Sequence, residues 1–199
     1  YRERGFAVTV SGQSDFEILQ EIGEESYTYV CLLHDADLSS DSVPSCTGKS
    51  YFFHLWENLA SSAGHVVSLV ETLEQKRYIG ILFPPVPIFG DWLGRLGLGW
   101  ENRFGEVKGH LEDWHIDAVL DDHTPPVHAT NNFWIRTRVI ASWTEKIRRA
   151  SWCGPVPDDL CRFLWDSVVQ DAGCLPGIVE SSFYAAMDEA NQQYYLREI

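Results

Sequence analysis

Residues 29–37, YVCLLHDAD, decide the predicted fold of this chain. The first five form a continuous apolar run, which is typical of a strand buried on both faces in a parallel sheet. The run stops abruptly at His34, and two carboxylates, Asp35 and Asp37, follow one residue apart. Carboxylates placed directly past a buried strand can share a divalent cation through hard oxygen ligands. The pattern predicts Asp35 and Asp37 as ligands of Mg²⁺ or Mn²⁺; a solvated turn whose Asp side chains bond to local backbone N–H groups is the open alternative.

Other apolar patterns alternate with this strand along the chain. A second buried strand is predicted at residues 78–83 and a third apolar stretch at 132–135. Helices are predicted from about Ser50, over residues 66–73 and near Ser181, each from apolar residues at helical spacing. This alternation indicates an α/β layered fold. Ligands of such folds bind beyond the carboxyl ends of the strands, so the loops there are expected to hold the chemistry.

Charge restricts the possible partners. Twenty-nine acidic and fifteen basic residues give a net charge of −14. A surface of this sign repels phosphate backbones and anionic lipid heads, which argues against nucleic acid and membrane surfaces as partners. No apolar run approaches the roughly 18 residues of a membrane span. A small anionic substrate stays possible if a local metal ion or arginine offsets the field.

The 199 residues suit a single domain, 1–199, which begins at Tyr1 rather than Met and is expected to be an N-terminally truncated fragment. Residues 150–199 are expected to form a helical tail packed on it. Cysteines number five, an odd count, and no C-x-x-C pair occurs. Free thiols in a reducing cytoplasm are the simplest account of them.

A second candidate cluster lies in PPVPIFGDWLGRLGLGWENRF, residues 84–104. Trp92 and Trp100 have flat apolar faces that suit a sugar ring or a base. Asp91 and Glu101 are the carboxylates best placed to take a proton from an acceptor hydroxyl. The alternative is that the indole rings are core residues under a long loop.

A third cluster lies in TPPVHATNNFWIRTRVI, residues 124–140. Arg136 and Arg138 alternate along a stretch that is predicted to be extended, so both are expected on one face. In an acidic protein they are candidates for holding a diphosphate or sugar hydroxyls. A structural ion pair is the alternative for either arginine.

Taken together and in this order, these phrases resemble the rhamnan-synthesis F family of glycosyltransferases, from about residue 27 to 195. The markers are residues 29–37, 56–58, 79–87, 99–104, 124–126, 132–136, 169–173 and 181–185. The resemblance implies an A-type glycosyltransferase fold, a Rossmann-like layered sheet with flanking helices. It also implies a nucleotide-sugar donor, with dTDP-L-rhamnose leading, and a glycan acceptor at which Asn102 joins the two tryptophans. Ala36 departs from the family, which often carries Lys after His-Asp.

The predicted function is therefore transfer of a sugar from a nucleotide diphosphate onto a growing cell-surface polysaccharide, in the cytoplasm or at the inner face of the membrane. Inversion in one displacement needs a base on the acceptor side, assigned to Asp91 with Glu101 second, and charge stabilisation at the diphosphate. Donor-binding residues are predicted to be His34, Asp35, Asp37, Arg136 and Arg138, with Arg136 facing the same cleft as Asp35. A nucleotidyltransferase and a glycan-binding module without catalysis are the alternatives.

Overall fold

The structure is a computed structural model and describes residues 9, 11–23, 27–34, 45–85, 100–126, 130–152, 154 and 156–187, with the backbone alone for 45–52. Within these ranges no helix has the length and apolar character needed to cross a membrane. The helices are α1 Asp15–Gly23, α2 Ser45–Ala60, α3 Ala63–Gln75, α4 Phe104–Asp113, α5 Thr137–Arg149, α6 Asp158–Cys161 and α7 Trp165–Asp171; residues 182–187 are also helical. The strands are β1 Tyr29–Leu32, β2 Ile79–Phe83, β3 Phe133–Arg136 and β4 Leu175–Ile178.

The four strands form one mixed sheet in the order β1-β3-β2-β4. Strand β3 is antiparallel to both β1 and β2, and β4 is parallel to β2. The predicted α/β class is confirmed, but the prediction of a parallel sheet around residues 29–33 is wrong, because β1 pairs with an antiparallel strand. An apolar run reports burial and carries no information on the direction of the neighbouring strand.

Strand directions define the two ends of the sheet. Because β3 opposes both β1 and β2, those two strands run the same way, and β4 follows β2. We call the end at which Leu32 and Phe83 finish their strands the carboxyl end. The opposite end, at which Tyr29 and Ile79 begin theirs, is the amino end.

Helices cover both faces of the sheet. On one face α1, α4, α5 and α7 enclose the larger core, in which Trp114, Trp143 and Trp165 are almost fully buried. On the other face α2 and α3 pack Leu59 and residues 66–73 against Leu82 and Trp134. Neighbouring residues of β3 therefore point into different cores, and each large side chain that is fully buried contributes about 1.5–3 kcal/mol to folding.

Two segments differ from the expectation. The extended stretch predicted for 124–140 ends at Arg136, and helix α5 begins at Thr137, so Arg138 does not alternate with Arg136 along a strand. Burial of Val139, Ile140, Trp143 and Ile147 along one side of α5 explains the change of structure. The expected helical tail, 150–199, also contributes a strand, β4, to the sheet.

Candidate functional site

Both loops that were predicted to carry chemistry leave the carboxyl end of the sheet. One follows β1 through His34 and the other follows β2 through Pro84 and Pro85. The predicted residues Asp35, Asp37, Asp91 and Trp92 lie outside the described residues. The candidate site consists of the described residues at the base of these two loops.

His34 is held in place by a buried carboxylate. Its Nε2 lies 2.8 Å and 2.9 Å from the two carboxylate oxygens of Asp15, in the first turn of α1. The His34 side chain is 36% exposed and that of Asp15 is 2% exposed. The hydrogen bond to Asp15 raises the pKa of His34 above its usual value, although burial acts in the opposite direction. Nδ1 has no hydrogen-bond partner among the described residues, so it is the ring nitrogen left for a ligand.

Two further elements, the start of β3 and the start of α6, converge on this pair. The backbone N–H of His34 donates to Asn132 Oδ1 at 2.8 Å, and that of Asp15 donates to Asp158 Oδ1 at 3.0 Å. The neighbouring residue, Asn131, donates from Nδ2 to the carbonyl of Asp158 at 2.7 Å. The start of β3 and the start of α6 thus fix the imidazole at the mouth of the β1 loop.

Asp166 is a further carboxylate at this end. It follows Trp165, whose Nε1 donates to Asn131 Oδ1 at 2.9 Å and whose ring lies 5.0 Å from that of Phe133. One oxygen of Asp166, Oδ1, is buried and has no hydrogen-bond partner in the described part of the chain. Burial raises the pKa of Asp166 to about 6. A carboxyl group that titrates close to neutral pH is a candidate for proton transfer.

A second buried network anchors the β2 loop from the other face. Nε2 of His54 donates to the carbonyl of Pro85 at 2.6 Å, and Asn58 Nδ2 donates to the carbonyl of His54 at 2.9 Å. Asn58 is 0% exposed, and its Oδ1 accepts from the backbone N–H of Ser181 at 2.8 Å. The chain after β4 is thus tied to the exit of the β2 loop.

Trp100 is a core residue, which is the alternative that the sequence left open. It is 5% exposed, its Nε1 donates to the carbonyl of Asp121 at 3.0 Å, and its ring packs against Phe104 and Phe163. Its faces are consequently not available as a sugar platform in this structure.

The two residues after Trp100 form an exposed turn with positive φ, 51° at Glu101 and 66° at Asn102. Glu101 Oε2 accepts from Arg162 Nη2 at 2.5 Å, so its carboxylate is engaged in an ion pair beside α6. Positive φ suits Asn better than most residues that have a side chain. Glu101 is therefore a weaker candidate base than an unpaired carboxylate, because its oxygen already accepts from Arg162.

Arg136 lies at the amino end, so the structure does not bring it together with His34. It is opposite Tyr29 in the register of β1 and β3. The five steps of extended chain from Tyr29 to His34 span about 17 Å. The expectation that Arg136 faces the cleft of the His-Asp loop is not met, since β3 runs against β1 and carries its last residue to the opposite end.

The guanidinium of Arg136 closes the end of α3 instead. It donates hydrogen bonds to three backbone carbonyls: that of Leu73, that of Lys76 at 3.3 Å and that of Ile79 at 2.6 Å. The Arg136 side chain is buried. A cation at a helix C-terminus also interacts favourably with the helix dipole. Arg138 lies near it on α5, where Nη2 donates to the carbonyl of Arg77 at 2.8 Å and to Cys174 Sγ at 3.1 Å.

Of the functional residues that sequence reasoning missed, only one had a local signal. Ser14 and Glu17 form a capping box that starts α1, with Ser14 N–H donating to Glu17 Oε2 at 3.2 Å and Glu17 N–H to Ser14 Oγ at 3.3 Å. This S-x-x-E pattern marks the helix that carries Asp15. Nothing local marks Asp158 or Asp166.

The part of the chain that the structure describes contains no group of three or more His, Cys, Asp or Glu side chains that could hold a metal ion. The predicted ligands Asp35 and Asp37 are not in that part. No protein-family profile, curated protein or solved structure matches this chain.

Proposed function

We propose that this chain is part of a glycosyltransferase that moves a sugar from a nucleotide diphosphate onto a growing polysaccharide, with dTDP-L-rhamnose as the leading donor. The proposal rests on the resemblance to the rhamnan-synthesis F family. The observation that carries it is the exit of the loops after β1 and β2 from the carboxyl end of one mixed sheet. That end is where α/β folds bind their ligands.

The reaction has two electrostatic requirements. The acceptor oxygen attacks the anomeric carbon while the bond to the diphosphate breaks, so a base must take the hydroxyl proton and positive charge must offset the leaving phosphates. Asp91, in the β2 loop, is the proposed base, since Glu101 is already paired with Arg162. Asp35 and Asp37 are proposed to hold a divalent cation, and oxygen donors suit Mg²⁺ and Mn²⁺.

His34 is proposed to hold the donor from the β1 loop. Its Nε2 is hydrogen-bonded to Asp15, and its Nδ1 is left to hydrogen-bond an oxygen of the nucleotide sugar. Arg136 is not proposed to bind the nucleotide sugar, because it lies at the amino end of the sheet and is hydrogen-bonded to the end of α3. The donor-binding set therefore narrows to the residues at the carboxyl end.

The test is a screen of sugar nucleotides against the protein by native mass spectrometry, with and without Mg²⁺ or Mn²⁺, followed by an assay of donor hydrolysis. We expect dTDP-L-rhamnose to bind and to be hydrolysed slowly, and Asp37→Asn to lose most of this activity. Asp117→Asn, an exposed carboxylate elsewhere, is the matched control and should keep it.

Other outcomes would favour a different class of function. Failure of every sugar nucleotide to bind would refute the proposal. Binding of free glycans without donor turnover would indicate a glycan-binding module. Release of pyrophosphate from a nucleoside triphosphate and a sugar phosphate would indicate a nucleotidyltransferase.

A further inference from the structure

An open groove of about 640 Å³ lies at the amino end of the sheet, opposite the proposed catalytic end. It is lined by Tyr29, Glu74, Gln75, Arg77, Arg136 and Arg138. Three guanidinium groups thus meet in one depression of a protein whose net charge is −14.

These arginines differ from the others that the structure describes. Outside the groove, each described arginine has a carboxylate partner: Arg103 pairs with Glu106 and Asp159, Arg148 and Arg149 with Glu145, and Arg162 with Glu101. Within the described residues, none of the three groove arginines has a carboxylate oxygen within 4.0 Å. No described carboxylate therefore neutralises their positive charge through an ion pair.

Two of the three also keep unused N–H groups. Arg77 and Arg138 are exposed. The Arg77 guanidinium makes no hydrogen bond to a described residue, and Arg138 uses Nη2 while its Nε and Nη1 stay without such a partner. Arg136 is mostly occupied by the carbonyls at the end of α3, so it is a fixed charge at the back of the groove.

We propose that this groove binds the phosphate group of a small phosphorylated molecule, through Arg77 and Arg138. A guanidinium presents parallel N–H groups that match two phosphate oxygens, and two of them can hold one anion from both sides. The negative field of the whole protein disfavours an extended polyanion or an anionic bilayer, so a small ligand fits the groove better. This proposal does not depend on the proposed glycosyl transfer, which is at the other end of the sheet.

Glu74 shapes the preference of the groove. Its exposed carboxylate lines the same depression and repels a second anionic group. It can also accept a hydrogen bond from a hydroxyl. A ligand that carries a phosphate next to a hydroxyl, such as a sugar phosphate or a nucleotide, matches this arrangement.

Isothermal titration with inorganic phosphate at low ionic strength tests the site. We expect binding to the wild-type protein and at least about tenfold weaker binding to the double variant Arg77→Gln/Arg138→Gln, because it loses the charge-assisted hydrogen bonds. The matched control Arg148→Gln/Arg149→Gln also removes two positive charges, at the C-terminal end of α5 and outside the groove. It should bind as the wild type does. Glu74→Gln should bind severalfold more tightly.

Absence of phosphate binding to the wild type would overturn the proposal, and so would an equal loss in both double variants, which would reveal a general effect of charge. If circular dichroism shows that the groove double variant does not fold, the single variants replace the double ones. Binding to Arg77→Gln is then compared with binding to the control Arg149→Gln. Sedimentation with phosphatidylglycerol vesicles checks the source of the phosphate. Vesicle binding that inorganic phosphate displaces would overturn the assignment to a small molecule in favour of a lipid headgroup, whereas no vesicle binding supports it.

Discussion

Replacing Arg136 by Met should destabilise the fold strongly, because the guanidinium satisfies the end of α3. The substitution removes the side-chain donors to the carbonyls of Leu73 and Ile79. The carbonyl of Lys76 loses one donor but still accepts a hydrogen bond from the backbone N–H of Ile79 at 2.9 Å. Each buried acceptor that loses its donor costs about 1–3 kcal/mol. Loss of the cation at the helix C-terminus adds about 0.3–1 kcal/mol. We therefore expect the free energy of unfolding to fall by about 3–5 kcal/mol.

Urea denaturation followed by circular dichroism measures this loss. The control is Arg138→Met, two residues away, since that side chain is exposed and, among the described residues, bonds only to the carbonyl of Arg77 and to a thiol. It should cost no more than about 1 kcal/mol. The reasoning fails if Arg136→Met costs less than about 1 kcal/mol, or no more than its control. Loss of sugar-nucleotide binding without loss of stability would return Arg136 to the donor site.

Three further changes test the site and the packing. Asp15→Asn should lower the pKa of His34, as read from its imidazole resonances in NMR titrations. Because Asp15 raises the pKa of His34, the stabilisation by this pair is full below about pH 6.5 and is lost as the pH rises through the pKa of His34 in the folded protein. Urea denaturation should therefore show that Asp15→Asn lowers the free energy of unfolding more at low pH than at pH 9. For Asp166 the folded pKa of about 6 exceeds the unfolded value of about 4, so the native state loses stability as the pH rises between these two values. Asp166→Asn should be up to about 3 kcal/mol more stable than wild type at pH 8 and equal to it below about pH 4; a difference independent of pH would exclude the carboxyl as its cause. Gly80→Ala should cost about 1–3 kcal/mol in the same denaturation assay, because the new Cβ would lie 2.7 Å from a neighbouring side chain, whereas Gly109→Ala has open space on a helix and should not destabilise.

Local patterns predicted most of what is local in the fold. Helical spacing predicted the buried Val66, Leu69 and Leu73 of α3, and the apolar run at 78–83 predicted β2. The order of the elements also predicted that the loops after β1 and β2 leave a sheet at strand ends. They do so at the same end because those two strands run in the same direction, each opposite to β3. These predictions succeeded because spacing and apolar runs depend only on residues close in the chain.

The acidic character of the chain, its α/β class and the exits of the two candidate loops from strand ends could be predicted from sequence patterns alone. Tertiary structure decided which side chains meet. Strand β3 returns against its neighbours and carries Arg136 to the far end of the sheet, away from His34. Packing of α1 brings Asp15 to His34 across 19 positions, and α6 brings Asp158 to Asp15 across 143. Strand direction and such long-range pairs depend on how the helices close both cores over the sheet, and no local pattern encodes that closure.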